Sequence, residues 1–520
     1  MKKTFNITGT CYPEDHYLMD NTRQLQAVRA LIEGGNYFTI NRPRQYGKTT
    51  TFYFLLEELS QTEAYFPIAL NFQGIDRRFH QSDTAFGQMF LEELSNSIEK
   101  TNPDLAAFLN QKNTIKSLND VSEIVEALIE KTQKKIVLLI DEVDASSEYA
   151  AFINFLGMLR RKYLNRKRRP TFHSIVLAGV HDIKNLKYKL RNPDNAQYNS
   201  PWNIAVDFEV DMSFQPQEIV PMLEEYSKIE EVKMDASTIA QRLYYHTSGY
   251  PFLVSKLCKN IAEKILPNKP KSQEQKWTLA DIEASVQLLL KENNTNFDSL
   301  IGNIENHKDL QDLVYRIILN GDTIPFNQYN PTIYKGILYG IFKRNGRIRI
   351  HNRIYEQLLY DYLASKIWTT DQGTLNYSGA FLKEDRSLDM EAVLRKFQAF
   401  MKEQRSQKDL KFLEREWRLV FLAFLKPILN GQGHDFKEVE TSEEKRLDVV
   451  VTYLQFKYIL ELKLWRGAKA HTKGLNQLAT YLDIHGINKG YLLIFDTRKK
   501  VTFDAKPITH QGKEIYMVWV

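Results

Sequence analysis

The spacing of apolar positions changes character several times along the chain. Residues 22–32 carry helical spacing, 37–40 form a short apolar run, and 49–59 are helical again. Strand candidates follow at 66–72, 135–140 and 174–178, with a helical stretch at 121–131. Helices alternating with short apolar strands predict an α/β domain with a mainly parallel sheet. After about residue 207 the pattern becomes helical: 235–245, 251–265 and 279–291 are amphipathic, and 310–319 and 331–342 follow. Asn345-Gly346 is a hairpin signal, and 347–350 alternates Arg with Ile before another helix at 355–365. Helices, a hairpin and a helix in that order suggest a winged-helix module. Residues 369–388 lose periodicity and read as a linker. Beyond it come a long helix or helix pair and strands at 436–440, 447–453 and 458–463. A helix at 472–485 and strands at 490–496 and 515–520 complete the pattern.

Composition narrows the class. With 43% hydrophobic and 26% charged residues, the 520-residue chain is neither disordered nor a fibrous rod. Its longest apolar runs, 136–140 and 419–425, are far too short to span a bilayer, so no membrane partner is expected. The first residues lack the charged-then-apolar pattern of a secretion leader. Cys11 and Cys258 are the only cysteines, too few for a disulfide framework or a zinc site. Together these point to the cytoplasm. The charge of +6 permits a nucleic-acid partner without demanding one.

Two constellations carry chemistry. In the first, Arg44-Gln45-Tyr46-Gly47-Lys48-Thr49-Thr50 lies between a strand and a helix. Gly47 lets backbone N–H groups approach phosphates, Lys48 reaches the β- and γ-phosphates of ATP, and the Thr49 hydroxyl suits Mg2+. Arg42 stands where the loop pattern has its first glycine. The strand at 135–140 ends in Asp141-Glu142. Asp141 is placed to hold Mg2+ and Glu142 to orient or activate the attacking water. Taken alone, Gly-Lys-Thr also reads as a helix start with a surface lysine, and the acidic pair as a helix cap. The strand at 174–178 leads to His181, either a γ-phosphate sensor or a capping histidine. Thr247-Ser248-Gly249-Tyr250-Pro251 opens a helix further on.

These four pieces, in this order, resemble AAA-like ATPases of the archaeal-type and STAND-related groups. The resemblance covers roughly residues 5–365. It implies a P-loop NTPase core (1–206), a helical lid carrying Gly-Tyr-Pro (207–295) and a winged-helix-like module (296–368), with ATP bound and hydrolysed. No secure arginine finger is legible. Arg160 and Arg161 are candidates, but the run 160–169 is so basic that a solvated or nucleic-acid-facing helix accounts for it equally well.

The second constellation is Asp448, then Glu461-Leu462-Lys463. Residues two apart on a strand share a face, so Glu461 and Lys463 go together. A hairpin centred on residues 454 and 455 pairs positions summing to 909 and sets Asp448 opposite Glu461. Facing carboxylates destabilise a sheet unless something offsets them. A divalent cation held by Asp448 and Glu461 would do so, and oxygen ligands suit Mg2+ or Mn2+. A solvated face with surface salt bridges is the alternative. Glu416 and Gln477 lie on the preceding and following helices. Helix, three antiparallel strands, helix and strand is the core order of PD-(D/E)xK nucleases, which residues 389–520 resemble. That resemblance implies a C-terminal restriction-endonuclease-like α/β domain with Asp448, Glu461 and Lys463 in catalysis and Gln477 in support.

The combined expectation is an ATPase controlling a Mg2+-dependent phosphodiester-cleaving domain. Its partners would be ATP and nucleic acid, DNA ahead of RNA. Such fusions suggest defence against foreign DNA, and a homo-oligomer is compatible with the family. The alternative is a STAND-like switch whose nuclease-derived module binds without cleaving.

Overall fold

The computed structural model describes residues 3–111, 115–180, 202–206, 208, 210–269, 276–319, 324–370, 381, 383–385, 387–404, 420–422, 424–425, 433–436, 449–453, 456–465, 468–496, 498 and 503–520. They form two compact units. One comprises residues 1–311 and 325–356, the other 312–324 and 357–520.

The first unit begins with α1 (Thr22–Glu33), β1 (Tyr37–Asn41), α2 (Lys48–Ser60) and β2 (Tyr65–Asn71). Next come α3 (Asp83–Ile98), α4 (Pro103–Asn110), α5 (Leu118–Thr132), β3 (Lys135–Asp141), α6 (Ala150–Leu164) and β4 (Ser174–Gly179). The strands form a parallel sheet in the order β1-β4-β3-β2. Burial on both faces explains the unbroken apolar runs: every residue of β4, and all of β3 after Lys135, is buried. Local signals fix the helix starts. The Ser82 side chain accepts the Ala85 N–H, and Ser117 and Asp120 form a reciprocal cap on α5. A core including Phe86, Phe90, Phe152 and Phe155 fills one side of the sheet.

After the sheet the unit is helical. It contains α7 (Pro216–Ile229), α8 (Ala236–Thr247), α9 (Pro251–Asn260), α10 (Leu279–Leu290) and α11 (Thr295–Glu305). Along the chain come α12 (Lys308–Leu319), which belongs to the second unit from residue 312, and a two-residue strand β5 (Ile324–Pro325) at the unit boundary. In the first unit α13 (Pro331–Leu338) leads to a hairpin, β6 (Phe342–Asn345) and β7 (Arg347–Ile350). Helix α14 (Arg353–Thr370) follows and belongs to the second unit after residue 356. The sequence pattern extends the 331 helix to 342; the chain instead leaves the helix after Leu338, turns at Gly340 with φ +71, and enters β6.

The second unit holds α15 (Met390–Gln404), β8 (Gly433–Phe436), β9 (Val449–Tyr453), β10 (Phe456–Leu464) and α16 (Ala468–Ile484). It ends with β11 (Lys489–Phe495), β12 (Ala505–His510) and β13 (Lys513–Trp519). Six strands pair in the order β12-β13-β11-β10-β9-β8. The pairs β8–β9, β9–β10 and β12–β13 are antiparallel, and β10–β11 and β11–β13 are parallel. Helix α16 packs Leu478 and Leu482 against Ile459, Leu492 and Met517. On the other face Phe397 of α15 meets Phe495, and Arg395 donates to the Tyr516 hydroxyl. Among the described residues no helix is long and apolar enough to cross a membrane.

Candidate functional site

The parallel register brings the chemistry of the first unit to one edge of its sheet. β1 runs into the loop 42–47, and β3 ends at Asp141 beside Asn71 of β2. Gly47, at φ 80, caps α2 without a side chain, so the helix opens with its N–H groups toward a cleft of about 550 Å³. Arg44, Gln45, Tyr46, Gly47, Lys48, Thr49, Thr50 and Glu142 all line that cleft. Its other walls include the segment Asn6–Gly9 and, from α9, Pro251 and Phe252.

Each side chain has a defined position. The buried Lys48 ammonium donates to the Arg42 and Pro43 carbonyls, both at 2.9 Å. Burial lowers its pKa, and the nearby Asp141 and Glu142 carboxylates oppose that shift. Thr49 Oγ1 donates to Asp141 Oδ2 at 2.7 Å, and Asp141 Oδ1 accepts the Glu142 N–H at 2.9 Å. Thr50 Oγ1 accepts the Cys11 N–H. Glu142 is non-glycine at φ 53, and burial raises its pKa. Asp144 Oδ2 accepts the Val180 N–H at 2.6 Å, which ties the turn after β3 to the end of β4. His181 lies outside the described residues.

The oxygens of Thr49 and Asp141, a hydroxyl and a carboxylate in contact, form a donor set that suits Mg2+ beside a nucleotide. Lys48 rests on weak acceptors that a phosphate oxygen can replace. The residues present therefore fit a magnesium-bound nucleotide.

Sequence reasoning missed several neighbours of the loop. Arg42 does not leave room as a glycine would. Its guanidinium donates to the Asn41 and Val210 carbonyls and lies over the Phe208 ring. The Tyr46 hydroxyl meets Ser213 Oγ at 2.5 Å and His351 Nε2 at 3.0 Å, and the Tyr250 hydroxyl donates to the Arg44 carbonyl at 2.6 Å. Gly-Tyr-Pro was legible as a motif, but partners this distant in sequence leave no local signal. The basic run is partly structural: Lys162 is buried and bonded to Ser122 and Glu126, while Arg161 donates to Asn119 of α5. Neither Arg160 nor Arg161 lines the cleft.

Residues 11–359 match the AAA-like domain family. The chain belongs to that family. The AAA-like domain brings with it a P-loop ATPase-like function, with ATP and usually Mg2+ as its cofactors. Solved structures with a similar course include the Walker-type ATPase of Pyrococcus abyssi, at 14% identity and TM-score 0.46, covering 68% of this chain and 99% of that one. The ORC2 protein of Aeropyrum pernix with ADPNP and ADP shows 11% identity and TM-score 0.40, covering 70% and 98%. CDC6P of Pyrobaculum aerophilum shows 14% identity and TM-score 0.35, covering 70% and 97%. No curated protein matches the chain.

Outside the AAA-like domain, the second unit holds the other predicted residues. The β9–β10 pairs run from Tyr453↔Phe456 to Val449↔Leu460, the register expected of a hairpin centred on 454 and 455. Glu461 is fully buried, and its Oε1 lies 2.6 Å from Lys463 Nζ. The glutamate side chain therefore presents no surface to solvent. The Lys463 stem lies against Gly474 of α16, where an added Cβ would stand 3.3 Å from Lys463 Cγ. Gln477 is half-buried and Tyr481 buried on the same helix. Asp448 and Glu416 lie outside the described residues. Among the described residues, no group of three or more His, Cys, Asp and Glu side chains is placed to hold a metal.

Proposed function

We propose that the AAA-like domain binds and hydrolyses ATP, and that its nucleotide cycle controls a Mg2+-dependent phosphodiester-cleaving site in the C-terminal unit. The observation that carries the first half is the Thr49–Asp141 contact beside a lysine held by loop carbonyls. Lys48 would exchange those carbonyls for β- and γ-phosphate oxygens. Thr49 and Asp141 would hold Mg2+, which when bound screens phosphate charge. Glu142 would orient the attacking water, and its raised pKa makes it a better proton acceptor than an ordinary glutamate. Arg44, Gln45, Tyr46, Gly47 and Thr50 would shape the phosphate cradle.

The second half rests on the buried Glu461–Lys463 pair. A carboxylate with no exposed surface, on a sheet face covered by a helix, is costly to keep unless it serves a purpose. With Asp448 it would hold a cation at a phosphodiester. Lys463 would place the attacking water or stabilise charge in the transition state, with Gln477 in support. DNA is the substrate we favour, within a role in defence.

The deciding experiment is a Mg2+-dependent cleavage assay on several DNA and RNA forms, with and without ATP. Glu461→Ala and Lys463→Ala are run alongside. Cleavage that survives both substitutions removes the site assignment. Absence of cleavage on every substrate favours a switch whose C-terminal unit only binds.

A further inference from the structure

The phosphate loop grips the base of the β6–β7 hairpin at two points. Pro43 packs on Gly340 so closely that a Cβ at residue 340 would lie 2.6 Å from Pro43 Cγ. Tyr46, buried in the loop, bonds His351 Nε2 at 3.0 Å. Gly340 and His351 bracket the hairpin, whose first cross-strand pair is Phe342↔Ile350. The His351 N–H also donates to the Ile341 carbonyl at 2.8 Å, closing that base. A shift of Pro43 and a shift of Tyr46 therefore act on the same short segment.

The loop has a reason to shift. Lys48 gives two of its three ammonium protons to the Arg42 and Pro43 carbonyls, so bonding both a β- and a γ-phosphate oxygen would take at least one of them away. Each of these carbonyls belongs to a peptide of Pro43, so the release of either would free the loop at that residue. The other contacts of the loop would hand the change on as well. Tyr250 anchors the Arg44 carbonyl and stacks edge-on against Tyr46 at 4.6 Å and against Tyr355 at 5.7 Å. Tyr355, four residues beyond His351, donates to Asn296 Oδ1 at 2.6 Å. The hairpin that would receive the shift is basic, carrying Lys343, Arg344, Arg347 and Arg349, of which Arg344 and Arg347 are exposed.

We propose that nucleotide occupancy at the phosphate loop is transmitted to this basic hairpin through the Tyr46–His351 and Pro43–Gly340 contacts, with His351 as the positioning residue. The inference rests on the nucleotide-site reading above. Coupling between two sites is reciprocal, so removing the link should change ATP affinity.

The test is hydrogen exchange of the full chain with and without Mg-ATP, together with ATP affinity. In the wild type, ATP should slow exchange at residues 44–52 and change it at 340–356. In His351→Leu the response at 44–52 should persist, the response at 340–356 should vanish, and ATP affinity should change about fivefold. Tyr46→Phe deletes only the hydroxyl and should lose the same response at 340–356, so the test survives if His351→Leu does not fold. His351→Gln keeps a hydrogen-bonding group for Tyr46 and should move back toward wild type. The proposal is overturned if 340–356 responds equally in all four proteins, or stays silent in the wild type while 44–52 responds. If neither region responds and Lys48→Ala binds ATP as the wild type does, the nucleotide site itself is misassigned and the proposal falls with it.

Discussion

Thr49 Oγ1 and Asp141 Oδ2 stand 2.7 Å apart, joining the first turn of α2 to the end of β3. Each is the partner that would otherwise hold the cation with the other. Thr49→Ala should therefore leave the fold intact, since the residue is exposed and surface changes seldom exceed about 0.5 kcal/mol. It should lower ATP turnover and raise the Mg2+ concentration needed for half-maximal rate. Lys48→Ala should instead lose ATP binding. Calorimetry for binding and a phosphate-release assay across a Mg2+ series separate the two effects.

Glu142 sits in the left-handed region at φ 53, with its carboxyl pK raised by burial. Backbone strain of that kind is kept where geometry matters. Glu142→Gln should retain ATP affinity while turnover falls about 10²-fold or more, the usual size of a lost acid–base group. The raised pKa sets the sign of the pH dependence. The acid limb of the wild-type rate should lie above 4.5, the ordinary value for this group. A rate that stays flat down to that pH would exclude Glu142 as the base.

His351 offers a stability prediction. Burial pushes its pKa from the ordinary 6.5 down to about 4. A group depressed on folding contributes fully above its unfolded pKa. Between 6.5 and 4 the unfolded chain binds the proton and the native chain does not, so stability falls as the pH falls through that window. By pH 5 this amounts to about 2 kcal/mol. Thermal melts from pH 7.5 to 5 should show the fall, and His351→Gln should flatten it. His80 and His173, also depressed by burial, will keep part of the slope.

Elements whose apolar pattern is set by burial were legible: β1, β3 and β4 stand where short runs of Val, Ile, Leu and Phe stand in the sequence. The β9–β10 register could be read because the centre of a hairpin fixes every pair around it. β12 was not legible. It is an edge strand with exposed positions and Pro507 inside it, so it carries neither an apolar run nor a clean alternation. In the candidate nucleotide site, Lys48, Thr49, Asp141 and Glu142 follow from local motifs. Tyr46 and His351 meet across 305 positions, and Lys162 is buried inside a run of cations. Such contacts arise from tertiary packing, which a pattern along the chain does not record.

Glu461 and Lys463 differ in exposure, and that difference shapes what their substitution will do. The Glu461 side chain is 0% exposed and the Lys463 side chain 33%. Removing Lys463 takes from a buried carboxylate the ammonium that lies 2.6 Å from it. Removing the charge of Glu461 leaves only a lysine that can reach water. Breaking a fully buried pair costs about 3–5 kcal/mol, and the part-exposed lysine brings the expected loss for Lys463→Ala to about 1–3 kcal/mol. Glu461→Gln should cost less, or nothing. Loss of cleavage in Lys463→Ala alone would thus confuse chemistry with stability. Lys463→Arg keeps the charge beside Glu461 but changes the compact ammonium for a planar fork. It should melt within a few degrees of wild type and still lose most cleavage if Lys463 acts at the phosphodiester. Melting curves and cleavage rates measured on the same preparations decide this. A Lys463→Arg protein that is stable and fully active would leave Lys463 as the structural counter-charge of Glu461 and remove it from the chemistry.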